Sequence, residues 1–252
     1  MDSPKSHRPE KTQSAAKPSS VYEVIQALRP QEEELLERRQ PLLSWLVSLI
    51  LPIALVLSGV RLLLTPWFLQ VEYRTPNFPP DPFGFTLEDR LYWSQIALEY
   101  LLNDQGIEFL GDLRFANGRA VYNPRELAHM VDVKNVVRYA LYAWYGSLGV
   151  LLLLALVAAL GKGWRDFCLG LARGGWLTVI LVGLITLFVL LGFGIFFVFF
   201  HEVFFDPGTW TFAYSDTLIR LFPERFWRDA FLAVGGFAIL TGLLLALGFR
   251  ER

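Results

Sequence analysis

Two imidazoles and the carboxylates beside them are the residues of this chain best suited to acid–base chemistry. His201 directly follows the apolar run 175–200, in Phe200-His201-Glu202-Val203-Phe204-Phe205-Asp206, where an uninterrupted hydrophobic stretch gives way to an imidazole and two carboxylates. A titratable ring at the edge of hydrocarbon is costly to place unless it has water, a partner or a task. His129 stands three residues before Asp132, with Lys134 two further along. On a helix begun by Pro124 the first two share a face, a spacing that can orient an imidazole. These are two of only 3 histidines in 252 residues, and their convergence would make a site. Against it stands the plain alternative that an interfacial histidine only hydrogen-bonds a backbone carbonyl.

Other chemistries lack their markers. There is no G-x-S-x-G elbow and no H-E-x-x-H pair, the local signatures of serine hydrolases and zincins. The single cysteine, Cys168, forms neither a disulfide framework nor a cysteine metal cluster, and it falls in the connection between two apolar runs. His129 and His201 with Asp132, Glu202 and Asp206 have the donor types for a divalent metal, so a metal-dependent membrane hydrolase is one reading. A second is metal-free, cofactor-free acid–base catalysis by two imidazoles, suited to a reaction whose nucleophile is already on the substrate. A third is a non-catalytic four-span scaffold or lipid-binding protein.

The elements that must position these residues are membrane helices. A content of 54% hydrophobic residues and a mean hydropathy of +0.39 are too apolar for a water-facing fold. The apolar residues also come in blocks, at 41–64, 136–160, 175–200 and 231–249. Each meets the roughly 20 helical residues needed to cross about 30 Å of hydrocarbon. The blocks are apolar on every side, unlike the alternating strands of a barrel. The expected fold is an all-α membrane protein of four transmembrane helices with a small α+β cap on the extracytoplasmic side.

The cap is assigned to 65–135, a stretch too long for an ordinary loop. Prolines 76, 79, 80 and 82 make its first part irregular. Thr86 and Asp89 then form an N-cap pair before the leucine periodicity of a helix. Asn117-Gly118 between two short apolar runs predicts a tight hairpin with a type I′ turn. Asn123, Pro124 and Glu126 spell a second capping signature, opening a helix that carries His129 and Asp132 into the second span.

The polar stretch 1–40 is expected to be a partly disordered cytoplasmic tail, with a surface helix broken around Pro30. Residues 161–174 form a cytoplasmic loop and 250–252 a cytoplasmic end. The outer loop 201–230 is dense in aromatics, including Phe205, Trp210, Phe212 and Trp227. These rings suit a membrane–water interface belt before they suit a binding box.

A net charge of −1 and no basic stripe argue against a nucleic-acid partner. The two short loops tie in arginine and lysine. Arg29, Arg38 and Arg39 near one terminus and Arg250 and Arg252 at the other break the tie, putting both termini in the cytoplasm. Residues 65–135 and 201–228 then face outward together. Counting helical rise from the turn near Cys168 brings His129 and His201 within roughly two turns of each other in height.

Three motifs carry a resemblance. Asn123-Pro124-Arg125-Glu126-Leu127-Ala128-His129-Met130-Val131-Asp132-Val133-Lys134, Phe200-His201-Glu202-Val203-Phe204-Phe205 and Asp216-Thr217-Leu218-Ile219-Arg220-Leu221-Phe222-Pro223-Glu224 resemble a family of four-span bacterial membrane proteins that includes lipoprotein intramolecular transacylase. The resemblance covers residues 61–249. It implies a bacterial cell-membrane acyltransferase with a diacylated lipoprotein as substrate and membrane lipid around it. The implied reaction moves the sn-2 acyl chain of the S-diacylglyceryl cysteine to that cysteine's own amino group. The family's catalytic histidines map onto His129 and His201, with Asp132, Lys134, Glu202, Trp210 and Asp216 expected to support the pair or position substrate. Many members carry a second histidine directly after the outer-loop one, where this chain has Glu202.

Overall fold

The structure, a computed structural model, describes residues 21–250, with the backbone alone for 22–24 and 27–40. The chain divides between Pro41 and Leu42 into two compact units, and everything of interest to the site belongs to the second. The disorder expected of residues 1–20 lies outside the described residues.

Eight helices follow one another among the described residues: α1 (Val21–Leu63), α2 (Pro66–Glu72), α3 (Leu87–Leu102), α4 (Glu108–Gly111), α5 (Pro124–Leu160), α6 (Trp164–Phe204), α7 (Thr217–Leu221) and α8 (Glu224–Gly248). Four stretches are long and apolar enough to cross a membrane: Pro41–Leu63 of α1 and the whole of α5, α6 and α8. α1 continues through Pro30 without the expected break.

Close approach of backbones holds the spans together. In lipid no hydrophobic force favours helix pairing over lipid contact, so packing depends on small residues at the seams. A Cβ on Gly175 of α6 would run into the Gly242 carbonyl of α8 and lie 2.8 Å from the Ala246 nitrogen. One on Gly170 would lie 2.7 Å from Val47 Cβ and 2.8 Å from the Ser44 oxygen of α1. Higher up, α6 bends at Gly192, which leaves helical conformation with φ −155° and ψ 55°. Beyond the bend, Phe193, Phe196 and Phe200 all pack on Phe231 of α8.

The cap is helical, and this corrects the α+β expectation: no strand forms among the described residues, and the hairpin is reduced to one antiparallel bridge, Arg114 to Ala120. Its turn also differs from type I′, which needs positive φ at both central residues. Only Gly118 has it, at φ 79°. The Phe115 carbonyl accepts from Gly118 N–H at 2.9 Å and the Phe115 N–H donates to Arg119 O at 2.9 Å. This is a three-residue loop closed by a glycine in the left-handed region.

Both predicted capping boxes form, Thr86 with Asp89 at the head of α3 and Asn123 with Glu126 at the head of α5. The segment between α6 and α8 is built into the cap. Leu218 and Leu221 of α7 share one apolar core with Ala97, Tyr100, Leu110, Val121, Tyr122 and Met130. The Arg220 guanidinium meets the Asp81 carboxylate at 2.8 Å, and Tyr73 Oη donates to the Leu221 carbonyl at 2.8 Å.

Cys168 is a second correction. It lies inside α6 and is 1% exposed. Gly163 caps a helix that begins at Trp164, so the polar turn Trp164-Arg165-Asp166 is helical rather than loop.

Candidate active site

α5 and α6 are antiparallel neighbours joined by the short turn at Gly161–Gly163, so the start of α5 and the end of α6 lie at the same end of the molecule. His129 sits in the second turn of α5, whose entry is fixed by Asn123 Oδ1 accepting from Arg125 N and Glu126 N, each at 3.0 Å. Glu126 is fully buried. Its Oε2 accepts from Asn123 N at 2.8 Å and its Oε1 from Leu218 N at 2.7 Å. One carboxylate thus ties the head of α5 to α7 and sets where His129 points. His201 lies one turn before the end of α6, on the segment that the phenylalanines beyond Gly192 staple to α8.

The two imidazoles meet. Their ring centres are 6.2 Å apart and their planes 23° from parallel, and they are 7% and 9% exposed. Phe205 lies 4.8 Å from His129 and 5.4 Å from His201. Phe212 is 5.4 Å from His129, Trp210 4.9 Å and Phe197 4.0 Å from His201. Part of the aromatic set expected to form an interface belt therefore boxes the imidazoles. Tyr214 remains outside, 85% exposed.

Hydrogen bonding distinguishes the nitrogens. His201 Nδ1 is 2.7 Å from the Phe197 carbonyl oxygen four residues back. In the neutral ring Nδ1 carries the proton and donates it in a hydrogen bond to that carbonyl, leaving Nε2 with a lone pair directed elsewhere. His129 Nδ1 and Trp210 Nε1 are buried with no hydrogen-bond partner among the described residues. A buried polar atom without any partner costs about 1–3 kcal/mol, so both atoms are sites where a substrate group or a water can bind.

The other residues singled out by sequence separate into places. Trp210 is part of the box. Asp132 is half-buried on α5, and no hydrogen bond or ion pair joins it to His129 among the described residues. Lys134 is buried away from the pair, with Nζ donating to Gln105 O at 2.6 Å and Asn103 Oδ1 at 3.1 Å and lying 4.0 Å from the Tyr100 ring centre. It clamps α5 to the end of α3. Glu202 is exposed. Asp216 accepts from Ala213 N at 2.9 Å and lies 3.8 Å from Arg125, shaping the segment that carries Trp210 and Phe212. Among the described residues no three His, Cys, Asp or Glu side chains come together as a metal site. Sequence reasoning left Phe197, Phe205 and Phe212 without individual roles. Phe197, four residues before His201, was the one that helical spacing could have exposed.

Fold and site together define a four-span membrane protein with a buried pair of imidazoles walled by aromatic rings beneath a helical cap. Residues 45–227 match the family model described as lipoprotein intramolecular transacylase, Lit, and the chain belongs to that family. An uncharacterized protein of Aquifex aeolicus (strain VF5) is 30% identical over 204 residues, 81% of this chain and 91% of that one. Among solved structures, the membrane-integral lipoprotein intramolecular transacylase Lit from Bacillus cereus has the same fold, with a TM-score of 0.70 at 20% identity over 85% of this chain and 95% of its own. The same enzyme with one histidine mutated to alanine gives 0.67 at 20% identity over 87% and 96%.

Proposed function

We propose that this protein transfers the sn-2 acyl chain of a lipoprotein's S-diacylglyceryl cysteine to the α-amino group of the same cysteine, giving an N-acylated lyso-form lipoprotein. The observation that carries this reading is the pair of buried imidazoles 6.2 Å apart, in a chain of the lipoprotein intramolecular transacylase family. Amine and ester are on one molecule, so the enzyme has only to fold the substrate on itself. Alignment of this kind can contribute several kcal/mol by removing the entropy of encounter.

The amine nitrogen attacks the ester carbonyl carbon, the C–N bond forms, and the sn-2 C–O bond breaks. One imidazole accepts the proton the amine sheds. The other delivers a proton to the departing glyceryl oxygen, so the pair ends the cycle with its protons exchanged and none consumed. His201 Nε2 and both nitrogens of His129 carry no hydrogen bond among the described residues and are the nitrogens free for this traffic. The rings of Phe205, Phe212 and Trp210 keep out the water that would hydrolyse the ester. In this reading the protein is a multi-pass protein of the bacterial cell membrane. Both termini are cytoplasmic, and the site faces outward, where diacylated lipoproteins reside.

Mass spectrometry of lipoprotein amino-terminal peptides from cells with and without the protein tests the proposal. The expected product is the N-acyl, S-monoacylglyceryl form, present only with the protein. Free fatty acid and an unacylated amine instead would make it a hydrolase, and an unchanged lipoprotein would leave it no catalytic role here.

A further inference from the structure

We propose that Trp210 is the oxyanion donor of this site, its indole N–H binding the ester carbonyl oxygen as that oxygen takes up negative charge. The inference rests on the transacylase reading above and adds a participant to it. An indole nitrogen can only donate, so a buried Nε1 without a protein acceptor is open to an acceptor brought by the substrate. The ring lies 4.9 Å from His201, within the box where the ester must react. The remaining donors near it are committed: the imidazoles carry the proton in transit, and His201 Nδ1 is held by Phe197 O. An oxyanion needs a donor that does not itself titrate during the step, and indole meets that condition.

The segment carrying Trp210 is held as an oxyanion donor must be, in advance of the charge it meets. Thr209 Oγ1 donates to the Asp206 carbonyl at 2.9 Å. Gly208 turns the chain with φ 84°, and Asp216 receives the Ala213 N–H at 2.9 Å. Phe212, two residues on, rests 5.4 Å from His129, so one strap of chain touches both imidazoles. As the amine nitrogen adds to the carbonyl carbon, the carbonyl π pair moves onto oxygen and meets the Trp210 N–H. Collapse returns that pair to the C=O bond and expels the glyceryl oxygen, which takes its proton from an imidazole. The indole proton never leaves.

The test replaces Trp210 with 3-benzothienylalanine, which keeps the bicyclic shape and exchanges N–H for sulfur, alongside Trp210→Phe. The full-length protein is reconstituted in vesicles with a synthetic S-(2,3-diacyloxypropyl)cysteinyl peptide. Loss of one oxyanion donor lowers kcat by about 100- to 1000-fold, while KM stays within about twofold. A phosphonate analogue of the tetrahedral intermediate should lose affinity by a similar factor in both variants, with binding of the ester peptide unchanged. Retention of wild-type kcat by the benzothienyl variant overturns the donor role, and so does a rise in KM alone. If the wild-type protein makes no N-acylated peptide, the transacylase reading fails and the donor role with it. A wild-type protein that is active, beside a benzothienyl variant of equal kcat, removes the donor role only.

Discussion

His129 and His201 are buried among aromatic rings rather than set on an open face, which changes how they must be probed. Alanine would leave a hole in the box as well as remove a base, so glutamine, close in size and unable to act as a base, is the better partner to it. His129→Gln and His201→Gln should each lower the rate of the acyl shift by about 100- to 10,000-fold while the protein still elutes as a folded species from detergent. Residues that act as one unit lose most of the rate at the first substitution, so the double variant should be no worse than either single. Full activity in one single variant would break the pair. Glu72 makes a second prediction. It is buried on α2 with Oε1 unpartnered, and burial first, then the negative charge of Asp229, raises its pKa from 4.5 to about 7. Between those values the folded protein holds a proton that the unfolded chain has shed, so stability falls as pH rises through that window. Glu72→Gln, neutral throughout, should flatten the difference in melting temperature between about pH 5 and about pH 8. An unaltered slope would assign the pH dependence elsewhere.

At the level of elements, the seams between spans depend on residues with no side chain. Gly175→Val should lower thermal stability in detergent by about 1–3 kcal/mol, because its methyls have nowhere to go but the backbone of α8. Gly183→Ala on the same helix meets nothing within 4 Å and should be neutral or slightly stabilising, as alanine favours helix over glycine. Equal losses in the two would mean that helix propensity, not contact, governs the seam. The same elements explain what sequence could and could not disclose. The apolar blocks were plain, but hydropathy marks where side chains meet lipid, not where the backbone stops being helical. α6 therefore starts at Trp164, ahead of the block at 175, whereas the start of α5 at Pro124, ahead of the block at 136, was given by its capping signature. The capping residues Asn123 and Glu126 were legible because their logic is local. The turn at Asn117-Gly118 was not, because the dipeptide suits both a two-residue loop and the last positions of a three-residue one. The aromatic box around the histidines was hidden for another reason. Phe197 stands one helical turn before His201 and Trp210 was marked by the resemblance, but Phe205 and Phe212 read like the other rings of the loop, and only the path of the chain after α6 separates box from surface.

For the molecule as a whole, the cap and the strap before α7 are one body, so any orientation assigned to one holds for the other. Cys168 is too buried to report on sidedness, and a cysteine at Gly208 would strain a turn that has φ 84°. Lys162→Cys and Tyr214→Cys are both exposed positions and form the better pair, in a Cys168→Ala background. With both termini cytoplasmic, an impermeant maleimide added to intact cells should label the Tyr214 site and spare the Lys162 site. The reverse pattern would put the imidazoles on the cytoplasmic side and separate them from mature lipoproteins. α5 carries a last consequence. Only 6% of its apolar window is buried inside the protein, against 22%, 33% and 39% for α6, α8 and α1, although its head is bound to the cap through Glu126 and Lys134. Most of its apolar surface is thus left uncovered by the other helices, and what fixes it is its head in the cap together with the contacts to α1, such as Trp144 Nε1 donating to Ser58 Oγ at 3.0 Å. His129 therefore takes its place from the cap, through Glu126 and Lys134 on either side of it, while His201 is referenced to α8, and the gap between the two rings is set where cap meets span rather than along the span itself.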